Sequence, residues 1–180
     1  MNSRSKPDTK VPISTQKLVV LGLLGALLLV IQIALAPLPN IELVSLCVIL
    51  YAHVFGRKAF YAIYTFVLLE GLIYGFGIWW ISYLYIWSLL AIVVMLFPKL
   101  NQVLPWALIA GFFGLFFGLL CSIPYLITGG IYAAFSYWVA GLGFDIIHCV
   151  SNFILTILLY KPLHNLLIQL SIRGDFTHMG

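Results

Sequence analysis

The residues of this chain that could do chemistry are few, and they lie within or beside long apolar runs. Glu70 lies inside one such run, although an ionisable side chain at the centre of a membrane span costs about 2.5 kcal/mol or more. Asp145, His148 and Asn152 lie in another run at offsets of three, four and seven residues, which places them on one face of a helix. Each of these groups needs a partner or a function, so each is a candidate site residue.

Polar and aromatic residues of other runs extend this set. Gln32 lies late in the first run, Asn40 and Glu42 open the second, and aromatic residues crowd the start of the fourth. Aromatic rings with a few hydrogen-bonding groups suit a small, planar, polar solute. The predicted substrate-binding residues are Gln32, Asn40, Glu42, Glu70, Tyr74, Trp79, Trp80, Tyr83, Trp87, Asp145, His148 and Asn152.

Structural roles are the alternative for several of these residues. Trp and Tyr are enriched at membrane interfaces in any case. Asp145 and His148 could form a pair that caps the sixth span, because a carboxylate near a helix start interacts favourably with the helix dipole. Glu42 could be such a charge at the start of the second span.

The sequence lacks the usual patterns of catalytic and metal sites. Ser45, His148 and Asp145 are the residue types of a hydrolase triad, but no Gly-x-Ser-x-Gly elbow accompanies them. There is no His-Glu-x-x-His pattern and no Gly-x-x-x-x-Gly-Lys phosphate loop, and the three cysteines form no Cys-x-x-Cys pair. We therefore expect a chain that is not an enzyme and that binds no metal or cofactor.

Composition indicates an integral membrane protein. Apolar residues make up 63% of the chain and charged residues 8%, whereas soluble domains are about a quarter charged. The 180 residues provide for six helices of about 20 residues and leave no room for a soluble catalytic domain. The net charge of +4 is explained by topology and anionic lipids, so we expect no nucleic-acid partner.

The basic residues predict the topology. All nine lie on one side of a six-span arrangement, and Lys and Arg are retained in cytoplasmic loops during insertion. Both termini are therefore predicted to be cytoplasmic, in a protein of the cell membrane. The nine residues are Arg4, Lys6, Lys10, Lys17, Arg57, Lys58, Lys99, Lys161 and Arg173.

The predicted fold is an all-α integral membrane protein with six transmembrane helices, formed by residues 18–163 between cytoplasmic segments 1–17 and 164–180. Gly114 and Gly118 on the fifth span predict a close helix approach. A short interfacial helix, Ile131–Ala140, is predicted in the loop between spans five and six. The predicted spans are Leu18–Ala36, Ile41–Val54, Ala59–Tyr74, Trp79–Phe97, Pro105–Ser122 and Phe144–Tyr160.

This arrangement resembles the membrane-embedded substrate-binding subunits, or S components, of energy-coupling factor (ECF) transporters. The similar segments are Pro39–Ser45 (PNIELVS), Gly143–Phe153 (GFDIIHCVSNF) and Lys161–Leu163 (KPL). The resemblance implies a bacterial plasma-membrane protein that captures a water-soluble vitamin at the outer face. It also implies docking on a membrane coupling subunit served by two ATPases, with release inward as the subunit topples in the bilayer.

The resemblance further implies a docking surface of small residues on the first span, where Gly22 and Ala26 lie four apart with Gly25 alongside. The interior acid and the aromatic residues suit a ring such as pyridoxine or hydroxymethylpyrimidine. Pantothenate and folate remain alternatives, because backbone amides at helix starts can bind a carboxylate. The alternative functions are a membrane enzyme, an assembly factor, and a self-sufficient ion-coupled carrier that uses Glu70.

Overall fold

The computed structural model describes residues 13–174 and residue 176, and all regular secondary structure in that part is helical. The predicted all-α class is therefore confirmed. A single 3₁₀ turn, Gly56–Lys58, joins the second helix to the third. The helices are α1 (Thr15–Leu35), α2 (Val44–Phe55), α3 (Ala59–Tyr74), α4 (Ile78–Met95), α5 (Val103–Leu115) and α6 (Phe117–Arg173).

Glycines end α2 and α3 where the sequence predicts the chain to turn. Gly56 has φ 55° and Gly75 has φ 86°, and both values lie in the region that side chains with a Cβ rarely adopt. A helix that reaches such a residue stops there, because the next residues cannot continue its hydrogen bonding. The spans on either side of these turns therefore keep close to their predicted bounds.

The long helix α6 differs most from the prediction. Gly130 has φ 74° and ψ −175°, which interrupts the helix and divides it into residues 117–129 and 131–173. Ile131–Ala140 is helical, but it runs without a break into the predicted sixth span. A separate interfacial helix followed by a loop was therefore a wrong prediction. Gly141 and Gly143 each weaken a helix by about 1 kcal/mol, and the backbone nevertheless stays helical through both.

The C-terminal end of α6 also departs from the prediction. Pro162 lies inside the helix, which continues to Arg173, so residues 164–173 of the predicted tail are helical. Residues 1–12, with three of the basic residues, lie outside the described part of the chain. Residues 175 and 177–180 of the predicted tail lie outside it as well.

One close helix contact joins α5 and the start of α6 to the later part of α6. A Cβ atom built on Gly114 would lie 2.8 Å from the His148 carbonyl carbon, and one on Gly118 would lie 2.5 Å from the Asp145 carboxylate. The predicted close approach through these two glycines is confirmed. Because residue 118 faces 145 and residue 114 faces 148, the two segments run antiparallel.

Contacts between the other helices give the bundle two distinct ends. At one end, the Ser151 hydroxyl donates to the Asn40 carbonyl before α2 begins. At the other end, His53 near the end of α2 bonds to Tyr160. We call this second end the basic end, because the start of α1 and the connections after α2 and α4 lie there with Lys17, Arg57, Lys58 and Lys99.

The surface of the described bundle is apolar over most of its length, as expected for helices that face lipid. Leu23 is 66% exposed and Leu158 is 64% exposed. The chain reverses direction at Gly56 and at Gly130, inside two of its four long apolar stretches. Six passes across the membrane remain a prediction. Four continuous stretches are long and apolar enough to cross a membrane: Thr15–Leu35, Val44–Tyr74, Ile78–Met95 and Val103–Arg173.

Candidate functional site

Nine of the twelve predicted substrate-binding residues line one cavity of about 410 Å³, which we call the site cavity. It lies at the end of the bundle opposite the basic end. Its volume is within the range of about 300–1,000 Å³ that is usual for small-molecule sites. The nine residues are Gln32, Asn40, Glu42, Glu70, Tyr74, Trp79, Tyr83, Trp87 and His148.

Sequence reasoning missed six lining residues. Phe117 begins α6, and its ring centroid lies 4.9 Å from that of His148 in an edge-on arrangement. No sequence signal distinguishes it from the other apolar residues around it. The remaining five surround the turn after α1, which the sequence showed only as a turn. They are Leu35, Ala36, Leu38, Pro39 and Ile41.

The loop before α2 is fixed to α6 at the cavity wall. Asn40 has φ 59°, a left-handed conformation that Asn tolerates better than most residues. Its carbonyl accepts a hydrogen bond of 2.8 Å from the Ser151 hydroxyl. Glu42 Oε2 accepts another of 2.8 Å from the Ser45 backbone N–H, so Glu42 does stabilise the start of α2 as the structural alternative proposed.

Glu42 has a second partner across the cavity wall. Its Oε1 atom lies 3.0 Å from Nε2 of His148, which is 106 residues later in the chain. The two side chains are 15% and 4% exposed, respectively. This pair therefore joins α2 to α6 and places a carboxylate and an imidazole together at the cavity.

Asp145 does not pair with His148 as the structural alternative proposed. Its Oδ1 atom accepts a hydrogen bond of 2.9 Å from the Gly118 backbone N–H. The chain leaves its helical path at Phe116, so the first N–H groups of α6 have no carbonyl one turn earlier. Asp145 thus stabilises the start of α6 rather than the start of the sixth span.

Three deeply buried side chains of the site cavity have a polar atom without a partner among the described residues. Glu70 and Trp87 are each 2% exposed. Neither Glu70 Oε1 nor Trp87 Nε1 forms a hydrogen bond to any described residue, and the same holds for His148 Nδ1. An unsatisfied buried polar atom costs about 1–3 kcal/mol, so groups of this kind call for an explanation.

Aromatic rings of α4 form one wall of the site cavity. Trp79, Tyr83 and Trp87 are spaced four residues apart, which aligns them on one helix face. Neighbouring rings are perpendicular, with centroid distances of 5.3 Å between Trp79 and Tyr83 and 5.4 Å between Tyr83 and Trp87. Gln32 Nε2 approaches the Tyr83 hydroxyl at 3.4 Å and so brings α1 to the same wall.

The other three predicted residues do not line the cavity. Trp80 donates from Nε1 to the Val67 carbonyl at 2.8 Å and packs edge-on against Phe76, so it stabilises the turn between α3 and α4. Its neighbour Trp79 reaches the cavity because successive helical residues point about 100° apart. Asp145 accepts the hydrogen bond from Gly118 at the start of α6, and Asn152 is buried one turn beyond His148.

The predicted docking residues of α1 divide into two groups. A Cβ atom on Gly25 would lie 2.7 Å from the Thr65 Cβ atom, so Gly25 is enclosed between α1 and α3. A partner subunit does not reach it there. Gly22 has no atom within 4 Å of such a Cβ position, and Ala26 is half-buried. A docking surface at Gly22 and Ala26 stays a prediction.

A larger cavity of about 940 Å³ lies at the basic end, beside Arg57 and Lys58. None of its described lining side chains buries a polar atom without a partner. His53, which lines it, places Nδ1 2.6 Å from the Tyr160 hydroxyl. The site cavity is the better candidate, because it alone of the two has unsatisfied polar atoms in its described walls.

Ser45, His148 and Asp145 do not form the hydrogen bonds of a hydrolase triad. The Ser45 hydroxyl has no hydrogen-bond partner among the described residues, and His148 bonds to Glu42 instead. The described residues also contain no group of three side chains that could hold a metal ion. Comparison with protein-family models, with curated proteins and with solved structures gave no match. The function must therefore be argued from the site itself.

Proposed function

We propose that this chain is the substrate-binding subunit of an importer of the energy-coupling factor type. It captures a small water-soluble vitamin or vitamin precursor in the site cavity. The observation that supports this most strongly is the cavity itself, which is lined by five separate parts of the chain and contains aromatic rings and three buried polar side chains with an atom that has no partner among the described residues. A ligand that met those atoms would remove the cost of leaving them unsatisfied.

The distribution of charge supports an outward-facing cavity. Four of the six described basic residues, Lys17, Arg57, Lys58 and Lys99, lie at the opposite end of the bundle from Glu70. Because Lys and Arg are retained on the cytoplasmic side, the basic end faces inward and the site cavity faces outward. With six passes across the membrane, both termini are then cytoplasmic.

The separation of the two cavities supports a subunit that depends on a partner. The site cavity and the larger cavity at the basic end share no lining residue. The sequence also contains no phosphate-binding loop that could hydrolyse ATP. A solute held in the site cavity thus needs a movement of the whole subunit for its release inward. In this proposal a coupling subunit and two ATPases drive that movement.

The proposal is tested by purifying a tagged chain from its native membranes in mild detergent. We expect a coupling subunit and two ATPases to co-purify. Gly22→Leu should abolish that association, because the added side chain projects from the open face of α1. Gly143→Leu is the matched control. A Cβ atom at Gly143 also meets nothing within 4 Å, and Gly143 lies on α6, away from the proposed docking surface on α1.

Two results would contradict the proposal. One is a wild-type chain that purifies without any ATPase and takes up solute unaided in proteoliposomes, driven by the membrane potential. That result would favour the ion-coupled carrier. The other is a Gly22→Leu chain that keeps every partner of the wild-type chain.

A further inference from the structure

The charges of the site cavity are unbalanced. Its lining contains two carboxylates, Glu42 and Glu70, and no Lys or Arg. Glu42 already has a partner, since its Oε1 lies 3.0 Å from His148 Nε2. Glu42 and His148 thus pair with each other, and the Glu70 carboxylate has no such counterpart among the lining residues.

Glu70 is also the most enclosed acid of the site cavity. It is 2% exposed, and its Oε1 atom receives no hydrogen bond from any described residue. An ionised carboxylate removed from water without a partner is strongly destabilising, and an opposite charge at close range offsets that cost. A ligand that brings a positive charge to Glu70 would bind for this reason.

The aromatic wall fits the same kind of ligand. Trp79, Tyr83 and Trp87 line the site cavity together, and each ring packs edge-on against the next. A ring that turns its face to the cavity attracts an organic cation through the negative potential of that face. Trp87 Nε1 has no acceptor among the described residues, so an oxygen on the ligand would give it one.

From these features we infer that the site cavity selects a flat organic cation, with its positive charge at Glu70 and an oxygen acceptor at Trp87. Anionic ligands are excluded by the same charges. This inference deepens the proposed function, on which it rests, by naming the charge class of the substrate.

The test uses three probes of nearly equal size and different charge. They are para-(hydroxymethyl)-N-methylpyridinium, its neutral isostere para-methylbenzyl alcohol, and the anion para-(hydroxymethyl)benzoate. Binding of each to the dialysed full-length protein in detergent is measured by isothermal titration calorimetry. We expect the cation to bind at least about tenfold more tightly than the alcohol, and the anion to bind most weakly.

Variants of Glu70 separate its charge from its shape. Glu70→Gln keeps the shape and should reduce the preference for the cation to less than about threefold, with binding of the alcohol unchanged. Glu70→Asp keeps the charge and should keep the preference. Size-exclusion profiles that match the wild type show that both variants are folded.

The inference is overturned if the alcohol or the anion binds as tightly as the cation, if no probe binds, or if Glu70→Gln keeps the preference. These outcomes are independent of the transporter role. A cation preference without co-purifying ATPases would refute the proposed function and leave the inference standing. Tight binding of the anion together with co-purifying ATPases would refute the inference and leave the proposed function standing.

Discussion

Each end of the bundle contains a buried tryptophan and an ionisable side chain beside it, but only at the basic end do both of them have a hydrogen-bond partner. At the basic end, Trp106 donates from Nε1 to the Leu100 carbonyl at 3.0 Å, and His53 bonds to Tyr160 at 2.6 Å. At the other end, Trp87 Nε1 and Glu70 Oε1 have no partner among the described residues. The polar groups of the basic end thus stabilise the bundle, whereas under the proposed function the unpartnered atoms of the site cavity are available to a ligand.

The largest effect is expected from removing the most enclosed ring of the basic end. Trp106 is fully buried, and Trp106→Ala leaves a void and removes the hydrogen bond to Leu100. We predict a loss of about 3–5 kcal/mol in the free energy of unfolding. Equilibrium unfolding in mixed detergent and sodium dodecyl sulfate measures it. A loss below 1 kcal/mol, on the order of a surface substitution, would show that the basic end is not a stabilising cluster.

A smaller loss is expected when one hydrogen bond of the basic end is removed without a change of shape. Tyr160→Phe leaves the half-buried His53 Nδ1 without its partner, which costs about 1 kcal/mol. Tyr132→Phe is the control, because Tyr132 is 85% exposed and its hydroxyl is open to the surroundings. The same unfolding experiment compares the two variants. Equal stability of both would contradict the role assigned to the Tyr160 hydroxyl.

The opposite sign is expected at the site cavity. Glu70→Met replaces a buried carboxylate whose Oε1 atom lacks a partner with an apolar side chain of similar size, and should raise the stability of the ligand-free protein by about 1 kcal/mol or more. Glu42→Met is the matched control. It removes the partner of Ser45 and His148 and should lower stability. Thermal unfolding of the ligand-free proteins gives the sign, and a destabilising Glu70→Met would refute the comparison between the two ends.

The smallest effect is expected from matched tryptophan substitutions. Trp106→Phe loses a hydrogen bond and ring volume, whereas Trp87→Phe loses only ring volume. The first should therefore cost about 1 kcal/mol more than the second. Unfolding curves of the two variants collected side by side measure that difference. A larger loss for Trp87→Phe would mean that its N–H group has a protein partner.

Much of the site cavity could be predicted, because polar residues in apolar segments are expensive and stand out. Glu70, Glu42 and His148 were found for that reason, and all three line the cavity. The spacing of four between Trp79, Tyr83 and Trp87 is also visible in the sequence and aligns them in the structure. The fold class follows from composition and hydropathy in the same way.

The errors arose where packing overrode local sequence preferences. Pro162 favours a helix end, but α6 packs on α5 and α2 and continues past it. Asp145 was predicted to bind substrate because it shares a helix face with His148, and in the structure it accepts a hydrogen bond from the Gly118 N–H group beside the bend at Phe116. Phe117 reaches the cavity only because of that bend, which no pattern in the sequence marks.

The central claim is that the site cavity holds a small molecule at Glu70. Native mass spectrometry of the gently purified wild-type protein and of Glu70→Met tests it most directly. We predict a vitamin-sized adduct on the wild-type chain and none on the variant, with both proteins monodisperse. An adduct on both chains, or a bare wild-type chain from membranes grown with the full range of vitamins, would contradict it.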